Sequence, residues 1–133
     1  MNPLEVDASS IRRLVHAFYG RVRQDQMLGP IFEARIGGRW PEHLDKMVGF
    51  WRAALLHERT YSGNPRSVHA RLELATPEAF ERWLALFADT LEELFSPATA
   101  GEIHRRASMM ARGLLAARGF ARVHLPMQGG PQQ

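Results

Sequence analysis

Every long segment of this chain repeats its apolar residues at the period of an α-helix and none alternates at the period of a strand, which restricts the fold to helices packed on helices. Ile11, Leu14, Val15, Phe18, Tyr19 and Val22 form the first stripe, with Asp7, Ser9 and Ser10 as candidate caps. A second runs through Leu44, Met47, Val48, Trp51, Ala54 and Leu55, flanked by His43 and Phe50, with Pro41 suited to the first turn. Phe80, Trp83, Leu84, Phe87, Leu91 and Leu94 form a third, opened by Thr76-Pro77 and closed by Ser96-Pro97. The last holds Ile103, Ala107, Met110, Leu114 and Ala117, with Thr99-Ala100-Gly101-Glu102 at capping-box spacing and Gly119 as a left-handed stop.

Between the stripes the pattern breaks. Gly29-Pro30, then Gly37-Gly38 and Pro41, make 31–39 read as a corner with one short helical turn anchored by Phe32. Residues 60–65 are a turn by composition, and 66–74 read as a short helix carrying Val68, His69 and Leu72. The expected fold is all-α, with four main helices and one or two short ones. Two long helices before a short irregular stretch and two after it predict a two-over-two arrangement instead of a regular bundle. With 133 residues, such a chain buries roughly two-thirds of its unfolded surface. One domain over 1–120 is therefore expected, followed by a disordered tail over 121–133, rich in Pro, Gly and Gln.

Composition removes several chemistries. There is no cysteine, which excludes disulfides, iron–sulfur clusters and thiolate catalysis, so any metal must rest on His or carboxylate. The formal charge is +3, and of 17 Lys and Arg residues only Lys46 is a lysine. Those cations are spread along the chain among acids, whereas nucleic-acid binding wants them gathered on one face or arm, so no nucleic-acid partner is expected. The first residues carry no signal-peptide core, and no apolar run approaches the ~18 residues of a membrane span. A cytoplasmic protein without a membrane partner is expected.

The six histidines sort by face. His16, His57 and His104 fall off the apolar stripes and His124 lies in the tail, so all four read as solvated. His43 sits four and seven residues before Met47 and Phe50 and should point at the core, while His69 lies between Val68 and Leu72. A histidine on an apolar face is more often a satisfied core residue than a ligand. The sequence contains no Glu-x-x-His, His-x-x-x-His, Walker loop or Gly-x-Ser-x-Gly elbow. Two histidines make a weak non-haem site but suffice for haem, whose iron needs one protein ligand. Phe18, Tyr19, Phe32, Phe50, Trp51, Phe80, Trp83 and Phe87 supply many aromatics for an apolar pocket, although each taken singly reads better as core filling. Tyr19 and Trp83 differ in carrying a polar hydrogen that must be satisfied when buried.

Phe18-Tyr19, Phe32, Trp40-Pro41-Glu42-His43 with Met47 and Phe50-Trp51, Val68-His69-Ala70-Arg71-Leu72, and Phe80-x-x-Trp83-Leu84-x-Leu86-Phe87 together resemble the group III truncated haemoglobins over about residues 8–118. Gly37-Gly38 precedes the second stripe and does not fall at the corners where groups I and II carry glycine pairs, which favours group III.

The resemblance implies a two-over-two globin holding haem b. His69 would be the proximal iron ligand, Phe32 would pack on the haem, and Tyr19, His43 and Trp83 would lie on the distal side. Met47, Phe50, Leu72 and Phe87 would line the cofactor, with Lys46, Tyr61, Arg66 and Arg71 as candidates for the propionates. The implied partners are dioxygen, nitric oxide, carbon monoxide or peroxide and an unidentified reductase. Tyr19 and Trp83 as paired donors favour redox chemistry or detoxification, of the nitric oxide dioxygenase or peroxidase kind, over dioxygen transport. His43 borders its stripe, so one rotamer faces the pocket and another faces solvent, as a gate requires. The alternative is a cofactor-free helical module that binds protein or nucleic acid through its arginines.

Overall fold

The computed structural model describes residues 3–57 and 76–117, with side chains described to Gly113. In chain order the helices are α1 (Ala8–Gln24), α2 (Leu28–Ile36), a 3₁₀ turn (Gly37–Arg39), α3 (Trp40–Leu56), α4 (Pro77–Leu94) and α5 (Pro97–Ala117). No strand occurs among the described residues. The α1 helix packs on α2, α3 and α4, and α4 packs on α5, giving the two-over-two arrangement with α1 and α4 at its centre.

All six residues of the first stripe are buried, as are all six of the third. The α1 start is closed by a reciprocal pair: Asp7 Oδ1 accepts from the Ser10 amide at 2.8 Å and Ser10 Oγ accepts from the Asp7 amide at 2.9 Å. Thr76 caps α4 as expected, its Oγ1 accepting from the Ala79 amide at 3.2 Å, with Pro77 in the first turn. On α3 the stripe is only partly sunk: Met47, Val48 and Trp51 are buried, whereas Leu44, Ala54 and Leu55 are half-buried.

Three expectations are corrected. The corner at 31–39 is a nine-residue helix, α2, beginning at Leu28 and closed by the short 3₁₀ turn. Gly29 and Pro30 do not break it because they fall in its first turn, where the missing proline N–H costs nothing. Gly29 is needed there, since a Cβ would meet the Arg23 carbonyl oxygen at 2.8 Å. Asp25 starts that helix in place of a cap on Met27: its Oδ2 accepts from the Leu28 amide at 2.9 Å and the Met27 amide at 3.1 Å. Likewise, Ser96-Pro97 opens α5 in addition to following α4, with Ser96 Oγ accepting from the Thr99 amide at 3.3 Å. Glu102, expected in a capping box, instead pairs with Arg105 and Arg106 one turn further on.

The third correction is His104, which is 6% exposed and not a surface residue. It shares the buried face of α5, which packs on α4, with Ala100, Ile103, Ala107, Ser108 and Ala111. Burial lowers its pKa from the ordinary imidazole value, opposed by hydrogen bonding to the Leu84 backbone and by the charge of Glu92. His16 and His57 are exposed as expected, and His57, with φ of 61°, ends α3 in the left-handed region.

Polar ties lock the layers. Thr90, fully buried on α4, donates to the Leu86 carbonyl and accepts from Arg21 of α1, both at 2.8 Å. Arg82 on α4 reaches back to Asp25 at the end of α1 with 2.7 Å contacts. Burial would raise the Asp25 pKa, but the Leu28 N–H, Arg82 and the Met27 N–H outweigh it and hold the carboxyl below its ordinary value. At the other end, Arg106 of α5 donates to the Ala54 carbonyl of α3 at 3.0 Å. The expected short helix over 66–74, the turn over 60–65, Gly119, His124 and the 121–133 tail lie outside the described residues.

Candidate functional site

The helical periods of α1, α2 and α3 bring Tyr19, Phe32 and His43 into one buried cluster. Tyr19 lies on the inner face of α1, 1% exposed, and Phe32, fully buried, rises from the middle of α2. His43 follows the α3 start by three residues and points inward, as its position relative to Met47 predicted. The Tyr19 ring meets the His43 imidazole edge-on, with centroids 5.0 Å apart at 90°. Phe32 stands 5.9 Å from Tyr19 and 6.5 Å from His43.

Trp83 enters from α4. Its indole is edge-on to Phe18 at 5.2 Å and stacks on Phe87 at 5.4 Å, while Phe87 stacks on Trp51 of α3 at 5.3 Å. Trp83 also lies within hydrogen-bonding influence of the Tyr19 phenol, although the phenol oxygen, wholly shielded from solvent, completes no hydrogen bond of regular geometry. Burial pushes the Tyr19 pKa far above its ordinary value, with the Trp83 hydrogen bond only partly opposing this. The phenol therefore keeps its proton and is a donor in search of an acceptor.

Of the other expected residues, Met47 is fully buried and Phe50 is half-buried, edge-on to Trp51 at 5.1 Å. Lys46 is exposed and does not join the cluster. His69, Tyr61, Arg66, Arg71 and Leu72 lie outside the described residues. Among the described residues, no group of three or more His, Asp or Glu converges on a metal-sized site.

One wall of the cluster escaped the reading of the stripes. Trp40, 4% exposed, stacks on Phe32 at 6.4 Å and stands edge-on to His43 at 5.6 Å. Its spacing of three and seven residues before His43 and Met47 puts it on the same helix face and could have revealed it. Its indole N–H donates to Glu33 Oε1 at 2.7 Å.

The bacterial-like globin family profile matches residues 6–114. The chain is 38% identical over 109 residues to the group 3 truncated hemoglobin ctb of Campylobacter jejuni, a match covering 80% of this chain and 86% of that protein. The crystal structure of a group III truncated hemoglobin from Campylobacter jejuni superposes with a TM-score of 0.83 at 35% identity, covering 93% of this chain and all of that one (100%). No described helix is long and apolar enough to cross a membrane. Family profile, sequence identity and superposition converge, and the chain belongs to the bacterial-like globins as a truncated haemoglobin of group III.

Proposed function

We propose that the chain holds haem b through His69 and receives dioxygen, nitric oxide, carbon monoxide or peroxide on the side lined by Tyr19, His43 and Trp83. Haem, when bound, supplies an iron that takes a diatomic ligand and exchanges electrons. The described residues fit such a group. Phe32, Met47 and Phe87 offer buried apolar surface, and the Tyr19 phenol near them keeps its proton, as suits a low-dielectric pocket. Lys46, Tyr61 and Arg66 are the candidates for the propionates.

The observation that carries this reading is the Tyr19 phenol, buried without a hydrogen bond of regular geometry. Leaving such a group unsatisfied costs roughly 1–3 kcal/mol, a cost that a ligand acceptor in the pocket would remove. Trp83 can only donate, so hydrogen bonding from its indole to the phenol oxygen would turn the phenol's own proton outward, towards a ligand. A hydrogen bond from the phenol to a partly negative acceptor, at about 1.5–3 kcal/mol, would slow dioxygen loss by roughly one to two decades, with Trp83 acting through the phenol it orients. Slow release suits nitric oxide dioxygenation or peroxide cleavage with an electron-donating reductase better than transport.

Dioxygen dissociation, measured by stopped flow, tests the reading. Tyr19→Phe and Trp83→Phe should each speed release about tenfold or more, and the double variant should fall short of the product because the donors form one network. Off-rates within twofold of the unaltered protein in both single variants would overturn it.

A further inference from the structure

We propose that Trp40, held by Glu33 and Arg23, is a positioning residue that keeps His43 turned in against Tyr19. The inference rests on the reading of that cluster as a ligand pocket, and it assigns control of entry to three residues outside the distal donors.

The start of α3 has Pro41 in its first turn but lacks a side-chain cap. Its N-cap, Arg39, makes no side-chain cap hydrogen bond, and the preceding 3₁₀ turn begins at Gly37, whose φ of 51° marks a sharp change of direction. A helix start without a cap frays, and His43 lies in the first turn after it. What holds the start is Trp40. Its indole N–H donates to Glu33 of α2 at 2.7 Å, the Arg23 guanidinium of α1 lies 4.5 Å over the ring, and Arg23 and Glu33 pair at 3.3 Å. Two helices, α1 and α2, thus grip one side chain of α3.

The grip has an outer and an inner side. Outside, Arg23 and Glu33 are each 47% exposed, within reach of water, and an ion pair so placed contributes little stability by itself. Inside, the indole is edge-on to His43 at 5.6 Å and lies 6.0 Å from Tyr19. The oriented bond to Glu33 fixes the plane of the indole, and that plane is the wall against which the imidazole rests. For His43 to swing outward, or for the first turn of α3 to open at Gly37, Trp40 must leave Glu33. The hydrogen bond of Glu33 and the guanidinium of Arg23 both bear on the Trp40 ring, so they act on entry through Trp40.

Two measurements on Glu33→Ala, Glu33→Gln and Trp40→Phe test this. The first is carbon monoxide association with the haem-loaded protein. Glu33→Ala and Trp40→Phe should raise the rate about three- to tenfold by enlarging the open population, while Glu33→Gln, whose amide oxygen still accepts from the indole, should stay within about twofold. The second needs no ligand: hydrogen exchange of the Trp40 indole N–H, followed by NMR together with the His43 ring resonances. Exchange should quicken at least about tenfold in Glu33→Ala, with the His43 resonances displaced, and both should be restored in Glu33→Gln. Glu33→Ala and Trp40→Phe rates within twofold of the unaltered protein, or Glu33→Gln as fast as Glu33→Ala, would overturn the proposal. A protein that takes up no haem would contradict the proposed function instead, and the exchange and imidazole measurements would then decide the role of Trp40.

Discussion

The phenol of Tyr19 and the imidazole of His43 meet edge-on, 5.0 Å apart at 90°, although they stand on different helices. That contact joins α1 to the start of α3 and puts the proton that Tyr19 retains beside His43, the side chain proposed above to turn between pocket and solvent.

His43 should therefore govern access more than affinity. His43→Ala, which removes the ring, is expected to raise the carbon monoxide association rate several-fold. His43→Leu, which keeps bulk against Tyr19 and Phe32, is expected to leave it within about twofold of the unaltered protein. Flash photolysis of both variants checks this, and equal rates for Ala and Leu would make His43 a fixed wall.

His104 predicts a pH dependence of stability. Its folded pKa is lowered by burial, against the Leu84 backbone and the Glu92 charge, so the native state binds fewer protons than the unfolded chain. Stability is thus full above the unfolded value of ~6.5 and is lost as pH falls through the lower folded value. Urea denaturation between about pH 7.5 and 5 should show that decline, and His104→Leu should flatten it. Ser108, buried one turn along the same face, offers no charge to compensate the imidazolium.

Asp25 predicts the same sign by a different route. Its folded pKa is lowered, so its contribution is present above the unfolded carboxylate value of ~3.9 and is lost as pH falls through the folded one. Asp25→Ala removes both the start of α2 and the tie to Arg82 and should cost about 1–3 kcal/mol at pH 7. Asp25→Asn, which still accepts the Leu28 N–H, should cost less. Chemical denaturation at pH 7 and pH 3 checks both, the difference from the unaltered protein narrowing at the lower pH.

The parts of the fold legible in the sequence are those where one period runs unbroken. The stripes of α1 and α4 and the inward turn of His43 follow from spacing, Thr76 was the expected cap of α4, and Asp7 was one of three candidates for the cap of α1. The α2 helix was hidden because Gly29 and Pro30, which usually interrupt, occupy the one turn where they are harmless. His104 was hidden because a polar residue on a face of alanines and a serine carries no apolar signal, and only close packing against α4 reveals its burial. Within the site, Tyr19, Phe32, His43 and Trp83 were nameable from residue type and family resemblance. The Glu33–Trp40 bond was not, since it spans a turn whose direction Gly37 sets and which no periodicity encodes.

The most direct test of haem held by His69 is a haem titration of His69→Gly followed by its Soret band, with and without added imidazole. The variant should bind haem weakly or not at all, and imidazole should restore a five-coordinate ferrous spectrum by filling the vacated position. Full haem retention with an unchanged iron–histidine vibration would contradict that assignment and move the ligand to His43.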